Sequence, residues 1–508
     1  MNKDFKVLAD IRHKVFTEVS KIAFSGDMEN IANIPYEIIE GDVAKFRDST
    51  FLERAIVSER IRLAMGLNLR KNNKHRPITE GLEQANKPEK YYEPPLINVI
   101  KFACDACPTK SYMVSDICRG CLAHPCVEVC PVDAIHIVNG KSLIDQEKCI
   151  KCGKCAKVCP YSAIIKRERP CMAACGVDAI SSDEQGKADI DYDKCVSCGM
   201  CMVACPFGAI ADKSQIYQLI QSINHGDEVI AVVAPSFLGQ FGNKVGIQDF
   251  RNGLVELGFS DVVEVAIGAD ICTIEEAYDF IEKVPEEHAF MGTSCCPSWS
   301  EMAKKNFPEY ADNISMALTP MVFTARMVRE KNPKAKIVFI GPCSAKKLEA
   351  SRKSVKSEVD FVITFEELSG MLDGKDTEIL GTDSVFTDEA TCSGRGFAVT
   401  GGVANAVSKL IEKIDPKQVV KIQTADGLKE CVQMCKDAAK GKYDGYLLEG
   451  MACPGGCVAG AGCMAKPNVS AAKVKKAAEE SKRKYADESI YADKLYLLKE
   501  GEYESARK

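Results

Sequence analysis

The sequence predicts an α/β unit with parallel sheets, preceded by a small cysteine-rich α+β unit and a helical N-terminal segment. Three observations carry this. Of 26 cysteines, sixteen crowd between Cys104 and Cys205, and ten are spread over the rest of the 508 residues. Between residues 226 and 463, short apolar runs alternate with helical patterns, as α/β layers require. Residues 1–95 hold no cysteine and place apolar residues at helical spacing.

A chain of this length exceeds one core and divides into two to four domains. Its 46% hydrophobic and 27% charged residues are ordinary for a globular protein. A net charge of −6 argues against nucleic acid as a partner. No apolar run approaches the ~20 residues of a membrane span. The start, MNKDFKVLADIRHKVF, is charged and periodic, unlike a secretion signal, so a cytoplasmic location is expected. We divide the chain into a helical N-terminal segment (1–95), a cysteine-rich region (100–212), an α/β domain (226–463) and a helical tail (464–508).

In the first segment, NKDFKVLADIRHKVFTEVSKIAF and STFLERAIVSERIRLAMGL read as helices. KNNKHRPITEGLEQANKPEKYYEPP reads as a polar linker. This segment suggests packing or docking and no chemistry.

The cysteines set the class of the next region. A cytoplasmic chain keeps its thiols reduced, and dense soft thiolates select zinc or iron–sulfur centres. CIKCGKCAKVCP supplies Cys149, Cys152, Cys155 and Cys159. CVSCGMCMVACP supplies Cys195, Cys198, Cys201 and Cys205. Both read C-x2-C-x2-C-x3-C-P, the bacterial ferredoxin spacing, in which three cysteines wrap one 4Fe-4S cubane and the fourth crosses to another. Zinc sites use paired C-x2–4-C clips instead. The variant CRGCLAHPCVEVCP adds Cys118, Cys121, Cys126 and Cys130. CMAAC adds Cys171 and Cys175, and CDAC adds Cys104 and Cys107. Ferredoxin crossing pairs Cys118, Cys121 and Cys126 with Cys159, and Cys149, Cys152 and Cys155 with Cys130. It pairs Cys195, Cys198 and Cys201 with Cys175, leaving Cys205, Cys171, Cys104 and Cys107 for a fourth. The region is thus a ferredoxin-like relay with two to four accessory 4Fe-4S clusters.

In the α/β domain, the runs at 228–235, 261–267, 336–343, 360–365 and 443–450 read as strands. Cys343 follows its run directly, and Cys295 and Cys296 follow AFMGTS. Open α/β sheets put their sites at such C-terminal strand ends. TSCCPSW, GPCSAKKLE and EGMACPGGCVAGAG together give four cysteines for a cubane and one spare. Pro-Gly-Gly between Cys453 and Cys457 lets the backbone approach something bulky. Cys272, Cys392, Cys431, Cys435 and Cys463 lack ligand spacing. The tail after residue 464, rich in lysine, glutamate and alanine, reads as a surface helix.

These three stretches, in this order, resemble the three signature motifs of FeFe-hydrogenases. VVAPSF (232–237), GADICTIEEA (268–277) and FAVTGGV (397–403) extend the resemblance over about residues 226–463. The resemblance implies an H-cluster, a 4Fe-4S cubane joined to a di-iron subsite with carbonyl, cyanide and azadithiolate ligands. It implies that Cys296, Cys343, Cys453 and Cys457 bind the cubane and that Cys457 bridges to the di-iron unit. The spare, Cys295, then passes protons to the bridgehead amine. Such a role suits a thiol whose pKa is brought toward the working pH. Lys346 matches the lysine that hydrogen-bonds a cyanide. Pro235, Ser236, Met451 and Phe397 match residues around the subsite. Glu276, Ser315 and Asp279 match the outward proton route, with aspartate where the family usually has glutamate.

The chain also departs from the family. Gly341 stands where methionine usually opens the second motif, Met321 where glutamine follows proline, and Ser298 where glycine is usual in the first motif. Gly341 leads to an expectation of extra room or water near the cluster. The resemblance implies an enzyme of the ferredoxin hydrogenase type, reversibly reducing protons to dihydrogen. Its electrons come from ferredoxin or a similar carrier, and maturation proteins install the di-iron unit. Two alternatives remain: an iron–sulfur assembly relative that keeps the cubane alone, and a hydrogen sensor, which usually carries a signalling domain such as PAS.

Overall fold

The computed structural model describes residues 6–71, 75–85, 94–352, 355–382 and 389–498. Two of the helices expected in the first segment are present, Lys6–Ser25 and Thr50–Ala64. The second begins where the Ser49 hydroxyl accepts the Leu52 amide at 3.2 Å, a standard N-cap. The stretch read as a polar linker is packed in part. Leu82–Ala85 is a short helix, Ile78 and Ala85 are buried, and Arg62 holds the Ile78 and Glu80 carbonyls. Residues 72–74 and 86–93 of that stretch lie outside the described residues.

The cysteine-rich region is built from two-stranded antiparallel sheets and single-turn helices. The pairs are Ile97–Val99 with Ile210–Asp212, Ser111–Val114 with Ile164–Arg167, Ile135–Val138 with Lys141–Ile144, and Ile180–Ser182 with Ala188–Ile190.

Two parallel sheets follow, as the apolar runs predict. One orders its strands Asp261–Glu264, Val229–Val233, Lys336–Gly341 and Phe361–Thr364. The other orders Met291–Gly292, Tyr446–Met451 and Lys421–Asp426. Every residue of Val229–Val233 is buried, since helices cover both faces. The two sheets meet at the carboxyl ends of their strands. The loops after Val233, Gly292, Gly341 and Met451 converge there, and these carry the motif residues.

The tail differs from the surface helix read from its composition. Helix Pro467–Glu480 buries Ser470, Val474 and Ala477. Further on, Leu497 and Leu498 are buried in the second core, and Arg326 donates to the Leu497 carbonyl at 2.6 Å. The short-range pattern of lysine and glutamate gives no sign of this long-range docking. Residues 499–508 of the tail lie outside the described residues.

Candidate active site

The converging loops enclose a cavity of about 840 Å³. Cys295, Cys296, Cys343, Cys453 and Cys457 all line it, with Lys346, Pro235, Ser236, Phe397 and Met451. The residues that three distant motifs supply therefore share one buried space.

Trp299, the only tryptophan, fixes two of these loops. It is fully buried, and its indole N–H donates to the Thr293 carbonyl at 3.0 Å. A methyl group added at Gly450 would lie 2.1 Å from its ring, and one at Gly292 would lie 3.4 Å away. The ring thus sits on the strand before Cys453 and the strand before Cys295. Gly456 adopts φ +90°, and a Cβ there would meet the Thr400 amide nitrogen at 2.7 Å. The close backbone approach read from Pro-Gly-Gly is made against the 398–400 loop.

The adjacent cysteines face different neighbours. Cys296 is grouped with Cys343, Cys453 and Cys457. Cys295 lies by the Glu276 carboxyl as well. Burial, and then the nearby Glu276, hold the Cys295 thiol well above its ordinary pKa. The chain around it thus keeps Cys295 protonated, in contrast to the lowered pKa expected from sequence.

Glu276 is buried on helix Ala266–Lys283. Its Oε1 accepts the Ser294 amide at 2.8 Å and the Ser294 hydroxyl at 2.9 Å. Burial raises its pKa to about 7, against two Ser294 hydrogen bonds that lower it. Its Oε2 is buried without a hydrogen-bond partner among the described residues. Asp279, one turn further, pairs with Lys283 at 2.9 Å and accepts the Ser315 hydroxyl at 3.5 Å. The expected proton route thus consists of two pairs, Glu276–Ser294 and Asp279–Ser315. No hydrogen bond joins Glu276 to Ser315 among the described residues. Sequence reasoning missed Ser294, although it directly precedes Cys295.

Lys346 is anchored by a pair of residues that sequence reasoning also missed. Its ammonium meets Glu349 Oε2 at 2.7 Å and donates to Thr319 Oγ1 at 2.9 Å. Thr319 in turn donates to Glu349 Oε1 at 2.8 Å. Burial disfavours the Lys346 cation, but Glu349 more than offsets this and leaves its pKa above the ordinary lysine value. The i, i+3 spacing of Lys346 and Glu349 was visible in GPCSAKKLE. Lys347, the next residue, turns away and binds Asp212 at 2.9 Å and Glu367 at 2.7 Å. Asp212 ends the last strand of the cysteine-rich region, so adjacent lysines serve the cavity and the relay interface.

The departures from the family have structural readings. Gly341 does not leave room: a Cβ built there would lie 2.4 Å from Phe339 Cε1. Residues 339 and 341 share one face of their strand, and the buried Phe339 ring lines the cavity. Gly341→Ala is therefore expected to cost about 1–3 kcal/mol by overpacking. Phe339→Ala in the same chain should relieve part of that cost, so that thermal unfolding of the four proteins gives a non-additive cycle; additive shifts would mean that the two groups do not compete. Ser298, where glycine is usual, donates to the Val196 carbonyl at 3.0 Å. Its hydroxyl ties the first motif to the cysteine loop that begins at Cys195. Nothing in the structure explains why Met321 replaces glutamine.

The relay cysteines assemble into four sets. Cys118, Cys121, Cys126 and Cys159 line one cavity of about 330 Å³. Cys130, Cys149, Cys152 and Cys155 line another of about 330 Å³. Cys175, Cys195, Cys198 and Cys201 are mutual neighbours, and so are Cys104, Cys107, Cys171 and Cys205. Cys198 also lines the central cavity, which puts the third set beside it. The fourth set gives the N-terminal segment a place. Arg47 donates to the Ala103 and Phe207 carbonyls, Arg60 donates to Gly208, and Ile56 and Leu63 pack with Cys205.

Comparison with known proteins gives a consistent picture. Residues 227–461 match the iron only hydrogenase large subunit, C-terminal domain, and residues 143–165 and 188–211 match the 4Fe-4S binding domain. The chain is 27% identical over 397 residues to the periplasmic iron hydrogenase large subunit of Nitratidesulfovibrio vulgaris, covering 66% of this chain and 88% of that protein. It is 28% identical over 386 residues to iron hydrogenase 1 of Clostridium pasteurianum, covering 65% of this chain and 67% of that one. A probable cytosolic Fe-S cluster assembly factor of Aedes aegypti is 28% identical over 265 residues, covering 42% of this chain and 55% of that protein.

Proposed function

This chain is an FeFe-hydrogenase-like iron–sulfur protein, and from that premise we propose that it catalyses the reversible reduction of two protons by two electrons to dihydrogen. The cofactors of such a chain are an H-cluster and accessory 4Fe-4S clusters. The observation that carries the proposal is the size and lining of the central cavity. It encloses about 840 Å³, against about 330 Å³ for each four-cysteine cradle of the relay. It offers a fifth thiol, an anchored lysine and the buried Ser236 hydroxyl, which has no hydrogen-bond partner among the described residues. A cubane-only relative needs four thiols and no more.

The donor set fits the group. Cys296, Cys343, Cys453 and Cys457 supply four soft thiolates, with Cys457 the bridge. When bound, the di-iron subsite supplies the metal at which protons and electrons combine. Lys346, fixed by Glu349 and Thr319, directs its ammonium to an anionic ligand of that subsite. Pro235, Phe397 and Met451 exclude water. Cys295 holds a proton at Sγ and exchanges it with Glu276. With a pKa of about 7, Glu276 both accepts and releases protons near neutrality. Asp279 and Ser315 continue the route toward solvent. The four relay sets hold accessory clusters that carry electrons from a ferredoxin-like carrier. We place the protein in the cytoplasm, with maturation proteins as partners, and retain the four units 1–95, 100–212, 226–463 and 464–508.

The test is gas-phase detection of dihydrogen from protein loaded with the di-iron cofactor and reduced through its clusters. Glu276→Gln should lower the rate about 10²-fold at neutral pH with unchanged iron content. The wild-type inflection near pH 7 should vanish with it. The sign follows from the raised pKa. Glu276 is protonated below about 7, so proton delivery falls as pH rises through that value. Its contribution to stability, full below about 4.5, is lost over the same rise. An inflection that survives in Glu276→Gln would take Glu276 off the route. Cluster transfer to an acceptor protein without dihydrogen would favour the assembly reading.

A further inference from the structure

We propose that electrons enter this protein at the outer copy of its cysteine repeat, on a basic and apolar face around Cys152 that receives a small acidic one-electron carrier protein. The inference rests on reading the Cys130, Cys149, Cys152 and Cys155 cradle as a cluster site. It goes further in naming the face and the charge of what docks there.

The chain contains its own comparison. KCIKCGKCAKV (148–158) and KCVSCGMCMVA (194–204) have the same cysteine spacing. In the inner copy, the residue before the second-position cysteine pair, Val196, is 3% exposed and its carbonyl is held by Ser298. The second cysteine, Cys198, lines the central cavity. This loop is the contact through which the relay meets the catalytic domain. In the outer copy, the equivalent Ile150 is 60% exposed. The equivalent Cys152 is the one exposed cysteine of the 26. The same loop, built for a protein–protein contact in one copy, has no partner in the other.

The substitutions between copies give the partner's chemistry. Ser197, Met200 and Val203 of the inner copy become Lys151, Lys154 and Lys157 in the outer one. Residues 148–158 hold four lysines and no carboxylate, in a chain whose net charge is −6. Lys154 lines the cradle, and the exposed Pro131 and Val132 extend its apolar rim. An apolar centre ringed by cations matches an acidic carrier with an apolar rim of its own, and favours fast, salt-sensitive encounter. The face around Leu122 and Ile117, beside the other outer cradle, is also apolar and exposed. Its loop carries Arg119 against Asp116 and Glu128, so it offers no net charge to an acidic partner. The transfer itself is one electron from the reduced carrier to the outer cluster, with no bond made or broken.

The test uses the full-length protein with its iron–sulfur clusters in place and a reduced, acidic plant-type ferredoxin as probe. Stopped-flow bleaching of the accessory clusters gives the second-order rate. Lys151→Gln with Lys154→Gln should lower that rate about tenfold at low ionic strength, and the difference should close as salt approaches 1 M. Ile150→Asn should also slow it while leaving the salt slope intact. Lys436→Gln with Lys440→Gln, remote exposed lysines, should not change it, nor should any variant alter bleaching by methyl viologen radical. Unchanged rates in both Lys151/Lys154 and Ile150 variants would overturn the proposal. So would slowing by Leu122→Asn alone, or self-association lost in the lysine variant while its ferredoxin rate is unaltered. Because bleaching is read on the accessory clusters, a protein that bleaches normally yet evolves no dihydrogen would defeat the hydrogenase reading and leave this one standing.

Discussion

Cys295→Ser is expected to lower dihydrogen turnover by about 10²- to 10⁴-fold without loss of iron. The side chain belongs to no cubane set. Its neighbour Cys296 joins Cys343, Cys453 and Cys457, whereas Cys295 lies by Glu276 on the other side of the cavity lining. Burial and Glu276 keep it protonated. Serine preserves size but is a far weaker acid, so the handover between the subsite and Glu276 should fail while the Trp299 packing and the cubane ligands persist. Iron analysis and cluster spectra separate the outcomes. Loss of iron together with activity would mean that Cys295 is a ligand.

Cys457→Ala is expected to lose the di-iron unit entirely while the relay clusters remain. Cys457 is buried beside Cys296 and Cys343, with Val458 behind it in the main core. Its position is set by Gly456, whose left-handed backbone against the 398–400 loop leaves the thiol no alternative path. Removing it deletes both a cubane ligand and the only covalent link proposed to the subsite. Carbonyl and cyanide absorption retained after loading and desalting would rule out the bridge.

Much of this site was legible in the sequence because its chemistry is concentrated in short motifs. The cysteine spacing grouped all sixteen relay thiols into the sets that the fold brings together. The apolar runs located the strands, and the rule of C-terminal strand ends located the cavity. What was not legible depends on contacts between distant segments. Phe339 filling the space beside Gly341 follows from strand geometry that the motif Gly-Pro-Cys does not contain. Thr319 joins Lys346 from a different helix. Ser298 reaches Val196 across the relay interface, and Arg47 and Arg60 reach the fourth cysteine set from a segment with no cysteine. Leu497 and Leu498 dock in a core that their charged surroundings do not announce.

The central claim is that this cavity holds a di-iron subsite and not a cubane alone. The most direct measurement is an infrared spectrum of anaerobically purified protein, loaded with the di-iron cofactor, in the carbonyl and cyanide stretching region. The account expects sharp bands that shift under dihydrogen and that weaken or move in a Lys346→Met variant, which removes the proposed cyanide hydrogen bond. A blank region in protein with its full complement of iron–sulfur clusters would contradict the account and leave a cubane-only protein in its place.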